Sequence, residues 1–437
     1  MPNRFLSGGF APVQDELNVI DLPVEGALPP DLNGILMRNG PNPVKPDPEH
    51  PSWILGDGMI HAFELREGRA VSYRNRWVRT DQASEELGEQ PPGGQPDRLV
   101  PPDYSMANTN VIAHAGRILA LEEVCLPVEV DRSLCTMGRF DFGGKLKSAM
   151  TAHPKTDPET GELVFFGYDP AGPPFLRVHI ADRDGELTMS QDVDIPRPTL
   201  MHDFAITQNH IVLIDGPVVY EPGPLKEGAG KLPLSWRPEF GTRVGVLPRT
   251  GGATRWFEVE TCFAFHTVNA YEEGNEIVVD VIRHATIGEA LPTTLDRWRV
   301  DLTTGRVREE RLDDNSQEFP RLDDRRLGRP HTIAYCSQTP IEPGEWTFGG
   351  LLKHDLRTGR LERSFMRPGE AAGEPVFAPA GAGEEDGWIL SVVYDANRDG
   401  SDLIVVDASD FTAPPVARVR LPQRVPFGFH GNWMPDA

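Results

Sequence analysis

The stretch RVDLTTGRV at residues 299–307 recurs as LKHDLRTGRL at residues 352–361 and as DPETGE at residues 157–162. Each copy contains an aspartate that is followed four residues later by a glycine. An aspartate side chain opens such a turn, and the glycine supplies the positive φ that closes it into a hairpin. The repeated turn therefore predicts a chain built from many short antiparallel strands.

The spacing of these turns indicates how the strands are grouped. Two looser copies, ADRDGE at residues 181–186 and LPRTGG at residues 247–252, extend the series. Successive glycines are separated by 66, 54 and 54 residues, and they are Gly185, Gly251, Gly305 and Gly359. Four short strands with their turns occupy about 40 to 50 residues, so this period is typical of the blades of a β-propeller.

Short apolar runs lie between the turn signals, whereas amphipathic helices are scarce. The clearest strand-like runs are ILAL at 118–121, IVLID at 211–215, EIVVDVI at 276–282, WILSVV at 388–393 and LIVVD at 403–407. A length of 437 residues would ordinarily suggest two or three domains, but a large all-β unit can run longer as one. We therefore expect residues 1–437 to form a single propeller domain, in which the segment after Gly400 pairs with N-terminal strands.

Four histidines occur singly in strand-like apolar settings and are the candidates for a metal site. They are His153 in MTAHPKTDP, His202 in LMHDFAI, His266 in CFAFHTVNA and His430 in PFGFHGNWM. A lone histidine in such a strand is more often a core residue, but a fold that returns to one axis in every blade would bring all four together. The other histidines, among them His284, are expected to have surface or packing roles, and His61 and His331 are ambiguous.

The turn repeat places histidines and glutamates in register. The residues at the shared position are His202, His266, Glu318 and Glu374, respectively 17, 15, 13 and 15 residues after the turn glycine. Imidazoles around a divalent metal, with carboxylates that accept the second ring N–H, are the expected arrangement. A nitrogen-rich set of ligands favours Fe, Zn, Cu or Ni over Ca or Mg.

Composition excludes several classes of partner. A formal net charge of −23 argues against nucleic acid, because phosphates would be repelled. No apolar run is long enough for a transmembrane segment, and the first 20 residues lack the pattern of a signal or transit peptide. The four cysteines form no CxxC pair and are expected to be reduced and buried, as in a cytoplasmic protein; they are Cys125, Cys135, Cys262 and Cys336.

From about residue 10 to the last residue, the chain resembles the carotenoid cleavage oxygenases, a family that includes apocarotenoid-cleaving and stilbene-cleaving members. The resemblance rests on a series of ordered motifs. They are NGILMRNGPNPV (33–44), WILGDGMIHAF (53–63), ANTNVIAHAGRILALEE (107–123), TAHPKTDPETGE (151–162), MHDFAIT (201–207), FHTVNAYE (265–272), EFPRLDDR (318–325), GEPVFAP (373–379) and PFGFHGNW (426–433).

The resemblance implies a seven-bladed β-propeller, with loops forming a cap over the active-site face, and a non-haem Fe(II) held by four histidines. Those histidines fall on His153, His202, His266 and His430. The family's three outer glutamates, whose carboxylates orient the ligand imidazoles, fall on Glu123, Glu318 and Glu374 and are expected to orient His202, His266 and His430 respectively. Glu122 is a one-residue alternative to Glu123, which is preferred for its offset to Pro127.

The implied activity is a dioxygenase with one Fe(II) per chain and O2 as co-substrate. It would cleave a C=C bond of a carotenoid or apocarotenoid to give two carbonyl products. Stilbene-cleaving members typically carry a lysine immediately before the first outer glutamate; Glu122 stands there in this chain and would repel a phenolate. A stilbenoid or phenylpropenoid substrate is therefore the alternative, and a propeller that binds an apolar isoprenoid without turnover is a third interpretation. We expect a cytoplasmic monomer that binds an apolar polyene or stilbenoid and no nucleic acid, with peripheral membrane contact left open.

Overall fold

The structure is a computed structural model, which describes residues 3–49, 52–92, 105–221, 233–287, 292–339 and 348–436. Regular structure in these residues is almost entirely β. Their one α-helix is Asp81–Leu87, which begins at the Thr80 side chain accepting from the Ala83 N–H and ends at Gly88, whose φ is 74°. Short 3-10 turns lie at Arg4–Leu6, Gly8–Phe10, Pro238–Phe240 and Asp324–Arg326. The prediction of an all-β chain is confirmed.

The strands of the described residues form seven sheets of four to six strands, numbered in chain order, and one separate ribbon. The described residues divide into two compact units. The first, which contains the described residues up to Ala149 and from Glu362 onward, holds sheets 1, 2 and 7. The second unit lies between Met150 and Leu361 and holds sheets 3 to 6, apart from the last residues of sheet 6. It also holds the ribbon, in which Val218–Tyr220 pairs with Leu234–Trp236.

The first unit contains three sheets, whose strands pair with their neighbours in the following order. Sheet 1 contains Asn18–Ile20, Arg69–Trp77, Gly58–Arg66, Gly34–Pro41 and Gly431–Pro435. Sheet 2 contains Asn110–His114, Arg117–Leu121, Val128–Val130 and Thr136–Arg139. Sheet 7 contains Val24–Gly26, Ala417–Arg420, Gly400–Asp407, Gly387–Asp395 and Glu370–Ala372, and Val376–Pro379 also pairs with Gly387–Asp395.

In the second unit spatial order follows chain order. Sheet 3 contains Lys155–Thr156, Leu163–Tyr168, Leu176–Ala181 and Leu187–Val193. Sheet 4 contains Ala205–Ile206, His210–Asp215, Thr242–Pro248 and Arg255–Val259. Sheet 5 contains Thr267–Glu273, Glu276–His284, Thr293–Asp301 and Val307–Asp313. Sheet 6 contains Gln317–Arg321, Ile333–Gln338, Leu351–Asp355 and Arg360–Arg363.

Sheets 1 and 7 each combine strands from distant parts of the sequence. Gly431–Pro435 pairs with Gly34–Pro41, and Ala417–Arg420 pairs with Val24–Gly26. The two sheets share one apolar cluster, in which Phe63 of sheet 1 and Leu403 of sheet 7 are fully buried. Burial of side chains of this size stabilises by roughly 1.5 to 3 kcal/mol each. The predicted pairing of the segment after Gly400 with N-terminal strands is confirmed.

The repeated turns have the conformation that the sequence predicts. In each of the three full copies the aspartate carboxylate accepts the backbone N–H groups two and three residues later, and these residues are Asp157, Asp301 and Asp355. The four spaced glycines have φ of 85°, 86°, 74° and 73°, and they are Gly185, Gly251, Gly305 and Gly359. Each joins the third strand to the fourth in sheets 3 to 6, so the period of the turns is the period of the sheets.

The four cysteines meet the expectation of burial only in part. Cys125, Cys262 and Cys336 are free and buried as expected, but Cys135 is free and exposed, because it lies in the turn that precedes the outermost strand of sheet 2. No helix in the described part of the chain has the length and apolar character needed to span a bilayer.

Candidate metal centre

The candidate residues occupy the same place in successive sheets. His153 and His202 lie just before the first strands of sheets 3 and 4, and His266 directly precedes the first strand of sheet 5. Glu318 lies within the first strand of sheet 6, and Glu374 lies between two short strands of sheet 7. All these strands lie at the edge of their sheet. The shared position inferred from the turn repeat is therefore a shared position in the fold.

Three histidines from sheets 3, 4 and 5 converge. The Nε2 atoms of His153 and His202 lie 3.0 Å apart. The ring of His266 lies 5.0 Å from each of the other two rings, measured between centroids. His153 and His266 are buried and His202 is half-buried, so water has little access to the nitrogens. The structure thus assembles ligand-type side chains that no short sequence motif contains.

The carboxylate of Glu318 fixes the ring of His266. Its Oε2 lies 2.5 Å from His266 Nδ1 and also accepts the backbone N–H of Phe319 at 2.8 Å. The other oxygen, Oε1, lies 2.7 Å from His284 Nε2. Burial alone would raise the pKa of Glu318, but the two imidazoles hold it well below its usual value. An ionised Glu318 makes His266 Nδ1 the protonated nitrogen and leaves Nε2 with its lone pair.

Glu374 fixes His430 in the same manner. Its Oε1 lies 2.9 Å from His430 Nδ1, and its Oε2 accepts the backbone N–H of Gly431 at 2.8 Å. Both side chains are buried. The pairings of Glu318 with His266 and of Glu374 with His430 are those that the family resemblance implies.

The three histidines of the second unit form a group that could hold a metal ion. His153, His202 and His266 each offer one ring nitrogen, and these atoms lie within 4.8 Å of one another. Nitrogen donors of this kind suit iron, zinc, copper or nickel. A metal about 2.1 Å from two nitrogens at a right angle holds them about 3 Å apart, which matches the 3.0 Å between the His153 and His202 nitrogens. The donor set therefore fits a divalent transition metal.

Glu122 and Glu123 lie between the second and third strands of sheet 2 and differ in their contacts. Glu122 Oε2 accepts the backbone N–H of Val124 at 3.1 Å, so its carboxyl group is bound to its own loop. Burial and the neighbouring Glu123 carboxylate raise the pKa of Glu122 to about 7. A partly neutral Glu122 would repel a phenolate less strongly than a fully ionised one. The assignment of Glu123 to His202 stays a prediction.

His284 is a functional candidate that the sequence did not reveal. Besides the packing role expected for it, its Nε2 bonds the carboxylate that holds His266. Its ring also packs edge-on against Phe265 at 5.1 Å. His284 ends the second strand of sheet 5, and only the hydrogen bond to Glu318 on a later sheet identifies it. No local pattern around residue 284 carries that signal.

The two ambiguous histidines have structural partners. His61 Nδ1 lies 2.9 Å from the Tyr73 hydroxyl, and burial together with the nearby Arg38 charge lowers the pKa of His61 to about 3. His331 Nδ1 lies 3.2 Å from the Asn269 side chain. Among the described residues, neither belongs to the histidine group that could hold a metal.

Comparisons with known proteins agree with this geometry. The sequence profile of the family described as retinal pigment epithelial membrane protein matches residues 10–435. A carotenoid cleavage oxygenase of Mycobacterium tuberculosis is 37% identical over 99% of this chain and 98% of its own. An isoeugenol monooxygenase of Pseudomonas nitroreducens is 33% identical over 98% of both chains.

The same agreement extends to three dimensions. A solved structure of cobalt-substituted Synechocystis apocarotenoid oxygenase is 30% identical, covers 97% of each chain and has a TM-score of 0.87. The seven sheets are thus the blades of a seven-bladed β-propeller, as predicted. Because the profile match and the identity to its relatives both span nearly the whole sequence, the chain belongs to the carotenoid cleavage oxygenase family and is an oxidoreductase that incorporates O2.

Proposed function

We propose that the protein is a non-haem Fe(II)-dependent dioxygenase that cleaves a C=C bond of a carotenoid or apocarotenoid. The observation that carries the proposal is the convergence of imidazole nitrogens. One of the converging rings, that of His266, has its Nδ1 hydrogen-bonded to a buried carboxylate. Such a set presents neutral nitrogen donors to a metal and keeps protons on the opposite side of the rings.

The proposed ligands are His153, His202, His266 and His430, with one iron per chain. Four neutral imidazoles leave the +2 charge of the metal unchanged, and the nearby carboxylates of Glu318 and Glu374 balance part of it. Glu123 is proposed to orient His202 as these two orient His266 and His430. Iron, when bound, would supply the activation of O2.

The reaction balances without an acid or a base from the protein. The C=C bond and the O–O bond break, each alkene carbon forms one C=O bond, and two carbonyl products result. The protein must hold the alkene in place and exclude water. Aromatic side chains beside the histidines are suited to both roles, since Phe265 lies 5.3 Å from the His202 ring and Phe319 lies 5.6 Å from the His266 ring. These apolar faces favour a conjugated polyene as substrate.

A stilbenoid or phenylpropenoid is the second candidate substrate, and the similarity to an isoeugenol monooxygenase supports it. Glu122 argues against it, since this position offers a carboxyl group bound to its own loop rather than a cation for a phenolate. The carotenoid relatives at 37% and 33% identity support the first candidate.

The remaining features of the proposal concern the protein as a whole. Residues 1–437 are proposed to form one propeller domain that acts as a monomer in the cytoplasm.

A substrate panel under 18O2 tests the proposal. Iron-loaded protein is incubated with apocarotenals, carotenes, hydroxylated stilbenes and isoeugenol, and products are identified by mass. We expect paired carbonyl fragments from a carotenoid or apocarotenoid, each carrying one labelled oxygen. Fragments only from stilbenes or isoeugenol would establish the second candidate. Binding of polyenes without any cleavage, at full iron occupancy, would contradict both.

A further inference from the structure

Lys155, Asp203 and Thr267 form a polar cluster beside the histidines, and the chemistry proposed above does not use it. Each follows one of the candidate ligands by one or two positions in the sequence. They come from sheets 3, 4 and 5, the sheets whose edges carry the three converging histidines.

One carboxylate connects the cluster. Asp203 Oδ2 accepts the backbone N–H of Thr267 at 2.8 Å, and the Thr267 hydroxyl lies 2.8 Å from the same oxygen. The other oxygen, Oδ1, lies 2.7 Å from Lys155 Nζ. Asp203 is only 4% exposed, so water does not compete for its oxygens.

Neighbouring side chains explain how this contact acts on the site. Consecutive side chains of an extended segment point to opposite sides. Asp203 and Thr267, which directly follow His202 and His266, can therefore fix these two segments from behind the imidazoles. Lys155 joins the His153 segment to the cluster through its contact with Asp203. A buried ion pair with additional hydrogen bonds also resists disruption, because removing one partner leaves an uncompensated charge.

We infer that Asp203 is a positioning residue that holds the segments bearing His153, His202 and His266 at a fixed separation before any metal enters. The inference rests on the proposed metal site and deepens it: the ion pair and hydrogen bonds slow release of the metal rather than select the substrate. His430 does not depend on this contact, since its own ring is held by Glu374.

Metal release tests the inference without reference to activity. The chain is loaded with Co(II), mixed with excess chelator, and followed by the visible absorption of bound cobalt. Asp203→Asn keeps an acceptor for Thr267 but leaves Lys155 without a counter-charge. We expect release to accelerate roughly tenfold or more, with a changed cobalt spectrum before release. Lys155→Met keeps the Asp203 carboxylate and both bonds to Thr267, and we expect a smaller acceleration.

Asp402→Asn is the matched control. Asp402 is fully buried in sheet 7 and bonds Arg418 at 2.9 Å and Arg420 at 3.0 Å, so its loss destabilises the protein without touching the cluster. Release from Asp402→Asn should equal that of the unmodified chain. Equal release from Asp203→Asn and Asp402→Asn, or unchanged release from Lys155→Met, would overturn this inference and leave the proposed function intact. An unmodified chain that retains neither cobalt nor iron would overturn both.

Discussion

The Nε2 atoms of His153 and His202 lie 3.0 Å apart, although 49 positions separate the two residues in the sequence. Two imidazole nitrogens at this distance repel each other if both present bare lone pairs. A cation or a proton between them removes that repulsion. The distance is also that of adjacent ligands on one metal, so we expect the pair to bind iron strongly.

Removal of a single ligand should empty the site. We expect the purified chain to contain about one iron and His202→Ala or His266→Ala to lose most of it, as measured by elemental analysis. His210→Ala is the control, because His210 Nδ1 also lies 3.0 Å from a carboxylate, that of Glu272, but His210 joins no group of potential metal ligands among the described residues. Equal loss of iron from His210→Ala would mean that the alanine variants lose iron because the protein is destabilised, and not because a ligand is missing.

Replacement of an outer carboxylate should weaken the site without removing it. In Glu374→Gln the amide can accept the His430 Nδ1–H but loses the carboxylate charge and one of the two present acceptors. We expect measurable iron with affinity or activity lowered roughly 10- to 100-fold, whereas His430→Ala should abolish both. If Glu374→Gln loses iron as completely as His430→Ala in parallel titrations, Glu374 is itself a ligand.

The predicted and unpredicted parts of this site differ in physical origin. The Asp–Gly turns and the apolar runs are local patterns, and they correctly identify the hairpins, the strands and the shared position of His202, His266, Glu318 and Glu374. His284 has no such local pattern, because its significance is a hydrogen bond to a carboxylate on another sheet.

The contacts of the polar cluster around Asp203 likewise depend on which sheets lie next to each other. The Lys155–Asp203 pair depends on the register of two sheets, which turn spacing does not determine. The exposure of Cys135 depends on its place in a turn. Repetition therefore predicts where side chains stand along the chain, and only the folded structure shows which partner each one has.

Loss of the His284 hydrogen bond should have a graded effect. His284→Phe keeps an aromatic ring against Phe265 but removes the Nε2 partner of Glu318. Since Glu318 still bonds His266, we expect iron to remain bound with less than about a tenfold loss of affinity, and Glu318→Gln to lose more. Titration of the apo-protein with Fe(II) measures both. A larger loss from His284→Phe than from Glu318→Gln would contradict this order.

Glu122 should make stability depend on pH. Its pKa is raised from 4.5 to about 7 by burial and by Glu123, so the folded state favours the protonated form. The protonated carboxyl is fully accommodated below pH 4.5, and stability falls as pH rises towards 7. Glu122→Gln removes this dependence and should raise the free energy of unfolding at pH 8 by up to about 3 kcal/mol, with little change at pH 4.5.

Denaturant titrations between pH 4.5 and 8 check this dependence. Glu258→Gln, at an exposed position of sheet 4, is the control and should leave the profile unchanged. A difference between Glu122→Gln and the unmodified chain that stays constant over this pH range would contradict the assignment.

Gly305 should be intolerant of a side chain for conformational reasons alone. Gly305 has φ of +74°, and a Cβ there would meet only the Phe257 ring at 4.0 Å. Gly305→Ala should therefore cost about 1 to 2 kcal/mol of unfolding free energy through the left-handed backbone. Gly172→Ala, where a Cβ meets nothing and no positive φ is required, should be neutral in the same denaturation experiment. Equal stability of the two variants would exclude a conformational cause.

The pairing of Gly431–Pro435 with Gly34–Pro41 sets a time at which the site can form during synthesis. Until the ribosome has added residue 435, sheet 1 lacks an edge strand and the hydrogen-bonding groups of Gly34–Pro41 on that side have no partner. An open strand edge invites pairing with other chains. His430 emerges with the same short segment, so a nascent chain that stalls before it carries an unprotected edge and lacks one ligand of the proposed metal site. Protection of the sheet edge and completion of the proposed metal site therefore arrive together, when this segment is translated.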